Sequence, residues 1–174
     1  MRILFMASLF AGLLLFVSSN SVIADVVGSA RVIDGDTLEI SGQRIRIHGI
    51  DAPEGRQTCT RGQTIWLCGK KAAKAMIALV RGSEVKCEAI DTDRYGRIVG
   101  KCFANGRDVG KALVMDDLAL AYRQYSTDYI QVEASAKAAR RGLWAGEFVA
   151  PWDWRKEKRL RTRLMMRSRP RVGT

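Results

Sequence analysis

Histidine is almost absent from this chain: His48 is the only one among 174 residues. A mechanism using paired histidines is excluded outright. His48 itself reads as a strand residue without catalytic duty, which disposes of a His-based triad as well. No C-x-x-C pair occurs among Cys59, Cys68, Cys87 and Cys102, so a zinc site of the usual spacing is not expected. The four cysteines read instead as two disulfides in an oxidising compartment. Three pairings are open. The favoured one joins Cys59 to Cys68, pinning a loop, and Cys87 to Cys102 across a hairpin, each adding about 3 kcal/mol in the chain-entropy picture. Only one long apolar run exists, at residues 3–17 behind Arg2, and Val22-Ile23-Ala24 follows it. It is shorter than the roughly 20 residues that span a bilayer, so the layout predicts a signal peptide over 1–24, cut after Ala24. With no cysteine just past that point and no second apolar run, the mature chain is expected to be soluble, exported and free of lipid, in the periplasm or secreted.

Acids are scarce at the C-terminus. Residues 155–174 hold nine Lys or Arg against Glu157 alone, a net of +8 out of the chain's +11. With Arg2 also set aside, only about +2 is left for residues 25–154. A basic balance points to polyanions such as nucleic acid, but here it is concentrated in one segment. That segment has too few apolar residues for a core and is expected to be a mobile tail: simply solvated, holding polyanions with an affinity that falls with salt, or drawn to anionic lipid.

What the body does contain is a crowd of carboxylates. Asp34, Asp36, Asp51 and Glu54 fall within 21 residues, in Val32-Ile33-Asp34-Gly35-Asp36-Thr37 and Asp51-Ala52-Pro53-Glu54. Like charges repel unless something positive lies between them, and a hard divalent cation is the usual answer for carboxylate oxygens. Asp-Gly-Asp alone is a weak signal. A hairpin between the two acidic pairs would bring them together. Arg46 precedes Asp51 on its strand, and Arg97 ends Asp93-Arg94-Tyr95-Gly96-Arg97. A guanidinium fork suits phosphate oxygens, so both are candidates for gripping a phosphate.

Residues 26–33 and 37–40 are β-rich, and Ser41-Gly42 predicts a tight turn into a third strand at 44–48. Alternation there puts Arg44, Arg46 and His48 on one face and Ile45 and Ile47 on the other. Helical spacing appears between 62 and 81, paired strands at 85–90 and 98–103, and a turn at Asn105-Gly106. Asp108 is a candidate N-cap for a short helix from Val109. A last amphipathic helix is expected over 127–141, with Gly142 as its stop. Three strands, a helix, two strands and further helices predict an α+β fold, a Greek-key barrel of OB type. The tryptophans are expected to be buried rather than to stack on bases: Trp144 closing the core, and Pro151-Trp152-Asp153-Trp154 lying back on the barrel.

Val32-Ile33-Asp34-Gly35-Asp36-Thr37, Arg46 with Asp51-Ala52-Pro53-Glu54, and Asp93-Arg94-Tyr95-Gly96-Arg97 resemble, in order and spacing, the three active-site segments of the staphylococcal nuclease (thermonuclease) family; Gly142-Leu143-Trp144 fits the same pattern. The resemblance covers roughly residues 27–144. It implies a five-stranded OB barrel with three α-helices, occupying residues 25–154. It also implies an endonuclease acting on DNA and RNA with one Ca²⁺ per site, and it is compatible with a monomer. Asp36, Asp51 and the backbone carbonyl of Ala52 would bind the ion, with Asp34 in its outer shell. Glu54 would act on the attacking water, Arg46 and Arg97 on the phosphate, and Tyr95 and Tyr122 on the nucleotide. The family more often has Thr at the position of Ala52, and a tyrosine where this chain has Gln124. The alternative implied by the same fold is a nucleic-acid-binding module without catalysis.

Overall fold

Alternation of apolar and polar side chains sets the first three strands. In this computed structural model, which describes residues 24–167, β1 is Val26–Val32, β2 Thr37–Ile40 and β3 Gln43–Ile47. The predicted signal peptide lies, but for Ala24, outside the described residues. β2 and β3 meet through Ser41 and Gly42, both at positive φ (51° and 79°), the backbone of a tight hairpin turn. Leu38, Ile40, Ile45 and Ile47 point into the core and are at most 1% exposed. Burying each such side chain contributes about 1.5–3 kcal/mol.

The chain continues through β4 (Ile50–Asp51), a short hairpin of β5 (Cys59–Arg61) and β6 (Thr64–Trp66), and helix α1 (Cys68–Val80). The helical spacing expected from residue 62 therefore begins only at Cys68. The Cys59–Cys68 disulfide holds the β5–β6 hairpin against the start of α1. β7 (Glu84–Thr92) and β8 (Ile98–Ala104) follow as an antiparallel pair, with Cys87 and Cys102 facing each other in register and joined. Both expected disulfides are thus formed.

β1 pairs with β2 and with β7, β2 with β3, β7 with β8, and β8 returns in parallel to β3. That last pairing closes a five-stranded barrel, as predicted. β9 (Arg107–Asp108) is a short extension of β8. Asp108 caps α2 (Val109–Met115) by accepting from the Lys111 amide at 2.9 Å. β10 (Leu120–Ala121) pairs with β4, placing Leu120 opposite Asp51. The next helix, α3, covers Ile130–Ala138, shorter than expected. Arg140, not Gly142, takes the left-handed position after it, at φ 49°. Gly142 has another duty: a β-carbon there would lie 2.3 Å from Cβ of Asp117, whose carbonyl accepts from the Leu143 amide at 2.9 Å. Leu143 is buried with Cys59, Cys68 and Leu120, and Trp144 packs on that cluster.

The C-terminal segment departs from expectation. A fourth helix, α4 (Pro151–Arg167), runs through the boundary expected after Trp154 and through most of the segment expected to be a mobile tail. Its first turn lies on the protein: Pro151 is buried and Trp152 packs on the Cys59–Cys68 cluster. From Lys156 to Met166 the helix is exposed. Thr60 and Glu147 exchange backbone hydrogen bonds (2.9 and 3.1 Å), and buried Gln57 donates to the Val149 carbonyl at 2.6 Å, so the approach to α4 is tied to the loop after β4.

Candidate active site

The β2–β3 hairpin does what the sequence requires of it: it brings Asp36, at the foot of β2, beside Asp51 of β4. The β1–β2 connection approaches closely because it contains Gly35. A β-carbon there would lie 2.7 Å from Cβ of Ala52 and 2.9 Å from Cβ of Ala72. Asp36 and Asp51 are 4% and 0% exposed, and buried carboxylates require partners. Asp36 accepts from the Thr37 hydroxyl (3.0 Å), the Ala52 amide (3.1 Å) and Arg46 Nη1 (3.3 Å). Arg46 Nη2 donates to Oδ1 of Asp51 at 2.6 Å, so one guanidinium on β3 bridges both acids. Burial opposes ionisation of Asp36, but Arg46, the Ala52 amide and Thr37 outweigh it and hold this carboxyl below its ordinary value. Asp34 is different. Burial and the adjacent charge of Asp36 push its pKa up to about 6, and it accepts from the Asp36 amide at 3.1 Å.

Sequence reasoning missed a second guanidinium. Arg155, on the first turn of α4, donates to Oδ1 and Oδ2 of Asp51 (3.0 and 2.6 Å) and to Oε1 of Glu54 (2.8 Å). Burial raises Asp51 toward the neutral form, and Arg155 and Arg46 pull against it. Burial likewise disfavours charge on Arg155, but its bonds to Asp51 and Glu54 prevail and raise its pKa. Nothing local marks Arg155 out among the cations around it. A hint lay in Trp152 and Trp154, which predicted that this turn would lie against the barrel. Glu54 is half-buried, its amide donating to Gln57 Oε1 at 3.1 Å.

Not every predicted residue joins this cluster. Arg97 pairs with Asp93 inside the β7–β8 connection, through Nε at 2.8 Å and Nη2 at 2.7 Å. Tyr95 is 68% exposed there, with the guanidinium carbons of Arg94 and Arg97 4.9 and 5.6 Å from its ring centre. Tyr122 follows β10 directly and lies close enough to Asp51 for that charge, together with burial, to raise its pKa. Its ring stacks on Trp152, centroids 5.4 Å apart and planes 1° from parallel.

Among the described residues, no three His, Cys, Asp or Glu side chains are grouped to hold a metal by themselves. The donors present are nevertheless all hard oxygens. Four acids against Arg46 and Arg155 leave a formal charge of −2. In donor type and charge the residues fit a hard divalent cation.

A family model described as "Staphylococcal nuclease homologue" matches residues 44–146. The chain belongs to the staphylococcal nuclease family. This member is 38% identical over 156 residues to an Escherichia coli protein named "Uncharacterized endonuclease", covering 84% of the present chain and 96% of that one. It is also 39% identical over 130 residues to "Succinoglycan biosynthesis protein ExoI" of Rhizobium meliloti, covering 70% and 66%. A plant relative in the family, "Probable staphylococcal-like nuclease CAN1" of Oryza sativa subsp. japonica, is 34% identical over 128 residues. That match covers 72% of the present chain and 36% of the relative.

Proposed function

We propose that this family member is an exported, calcium-dependent endonuclease that hydrolyses phosphodiester bonds of DNA and RNA with little sequence preference. The observation that carries the proposal is the buried Asp36–Arg46–Asp51 bridge beside Glu54, cations and anions alternating at hydrogen-bond distance. Asp36, Asp51 and the Ala52 carbonyl would hold the ion, with Asp34 behind them. When bound, such a cation supplies positive charge against the phosphate oxygens and lowers the cost of an extra negative charge on them.

The remaining work falls to the chain's own side chains. Glu54 accepts the proton of the attacking water or fixes the orientation of that water, and its amide bond to Gln57 holds the loop in place. Arg46, already oriented by Asp36 and Asp51, donates to a non-bridging phosphate oxygen as charge accumulates there. Arg97 comes to the phosphate from the β7–β8 connection, exchanging Asp93 for it. Tyr95, on the same turn, meets the nucleotide. Two disulfides support export to an oxidising compartment, and no helix among the described residues is long and apolar enough to cross a membrane.

Purified protein incubated with plasmid DNA or with RNA, in Ca²⁺ and in chelator, tests the proposal. Degradation in Ca²⁺ and not in chelator is expected, with Glu54→Gln slower by about 10²–10⁴-fold. Binding of nucleic acid without cleavage under any divalent ion would overturn it in favour of a non-catalytic module.

A further inference from the structure

We propose that Arg155 is a built-in counter-ion that a divalent cation must displace, and that the first turn of α4 is thereby a strap across the site. This deepens the cation-dependent reading and rests on it. Both carboxylate oxygens of Asp51 are committed in the structure. Oδ1 accepts from Arg46 and Arg155, and Oδ2 accepts from Arg155 at 2.6 Å. A cation held by Asp51 has to replace at least one of these bonds.

The two guanidinium groups differ in how firmly they are held. Arg46 belongs to a barrel strand paired on both sides, by β2 and by β8, and also serves Asp36. Arg155 sits on a helix whose following residues are exposed. The interactions of Lys158 and Arg161 run along that same helix, over Trp154 and to Glu157. Arg155 is therefore the group that yields, and its second acceptor, Glu54, is released with it.

The strap covers more than the acids. Three residues before Arg155, Trp152 lies flat on Tyr122 beside Asp51. One helical turn thus closes the carboxylates and one face of an aromatic ring together, and lifting it would expose both. The segment before α4 is anchored separately by Gln57 on Val149, so the turn has a fixed base from which to open.

Calorimetric titration with CaCl₂, without nucleic acid, tests this on the wild-type chain, Arg155→Gln, Arg155→Lys and Arg163→Gln. Arg163 is exposed about 12 Å further along the helix, so its variant removes the same formal charge away from the site. The expected result is tighter calcium binding by tenfold or more for Arg155→Gln, a smaller gain for Arg155→Lys, and no change for Arg163→Gln. Calcium should also change the tryptophan emission of the wild type, and this response should be lost in Trp152→Phe. Equal or weaker affinity in Arg155→Gln, or an equal gain in Arg163→Gln, overturns the strap. Should Arg155→Gln fail to fold, Arg155→Lys decides alone, and affinity equal to the wild type overturns the proposal. Cleavage of plasmid in calcium alongside unchanged Arg155→Gln affinity would overturn the strap and leave the nuclease reading intact. No calcium binding by either protein would remove the strap and the cation site together.

Discussion

Arg46 and Arg97 are the same side chain, assigned the same duty, in two different settings. Arg46 reaches across elements: from β3 it bonds Asp36 of the β1–β2 connection and Asp51 of β4, whose side chains are 6% and 0% exposed. Arg97 bonds only Asp93, four residues away in its own turn, where the Tyr95 and Arg97 amides also donate to Asp93. One arginine is part of what keeps buried charges together. The other decorates a turn that its backbone already holds. On the proposed mechanism, the chemical task and the structural task are fused at the first position and separable at the second.

Cleavage offers the largest effects and should not distinguish the two. Arg46→Ala and Arg97→Ala are each expected to slow it by about 10²–10³-fold, as for loss of one donor to a developing oxyanion. Full activity in Arg97→Ala would break the comparison by removing its functional half. Stability then separates them. Arg46→Ala leaves two buried carboxylates with one cation fewer and is expected to cost about 3–5 kcal/mol in urea unfolding. Arg97→Ala should cost about 1 kcal/mol or less, since its pair is local and partly solvated. Equal losses would show that the turn is as integral as the barrel.

Gly35→Ala probes the buried side without touching a charge. Its new methyl group meets Ala52 and Ala72 and is expected to cost about 1–3 kcal/mol while moving Asp36 off Arg46. A variant as stable and active as the parent would mean that the connection has slack. The smallest effect concerns Asp93. Burial works against its charge, but bonds from Arg97 and the Arg97 and Tyr95 amides lower its pKa below the usual 3.8. Between the folded and unfolded values the unfolded chain binds more protons, so Asp93 contributes stability that is complete above pH about 4 and fades as pH falls through the folded value. Asp93→Asn should therefore narrow the stability gap between pH 6 and pH 3 by less than about 1 kcal/mol. A widened gap would contradict the assignment.

The barrel was legible because its signals are local. Ile45 and Ile47 alternate with Arg44 and Arg46, Ser41-Gly42 and Asn105-Gly106 mark turns, and Asp108 caps the helix it was expected to cap. The cysteine pairing followed from a loop and a hairpin already drawn. The β5–β6 hairpin was hidden because Cys59, Thr60 and Arg61 carry no alternation long enough to register. α4 was hidden for a different reason. Its exposed face buries little, so no apolar stripe announces it, and the partners of Arg155 lie 101 and 104 residues earlier in the chain. The acids of the site were readable as a group, but which cations would stand among them depended on that distant packing.

That separation has a temporal side. The bond from Gln57 to Val149 spans 92 residues, and the one from Arg155 to Asp51 spans 104. Contacts so far apart along a chain reward its ordering only after nearer ones have formed. The barrel can organise Asp36, Arg46 and Asp51 from the β2–β3 hairpin and β4 before residues 149–155 have found their place. During folding, then, the acidic cluster would exist for a time without its second arginine, and a cation met at that stage would have no rival to dislodge. The order in which ion and helix arrive would set the state in which the molecule first emerges.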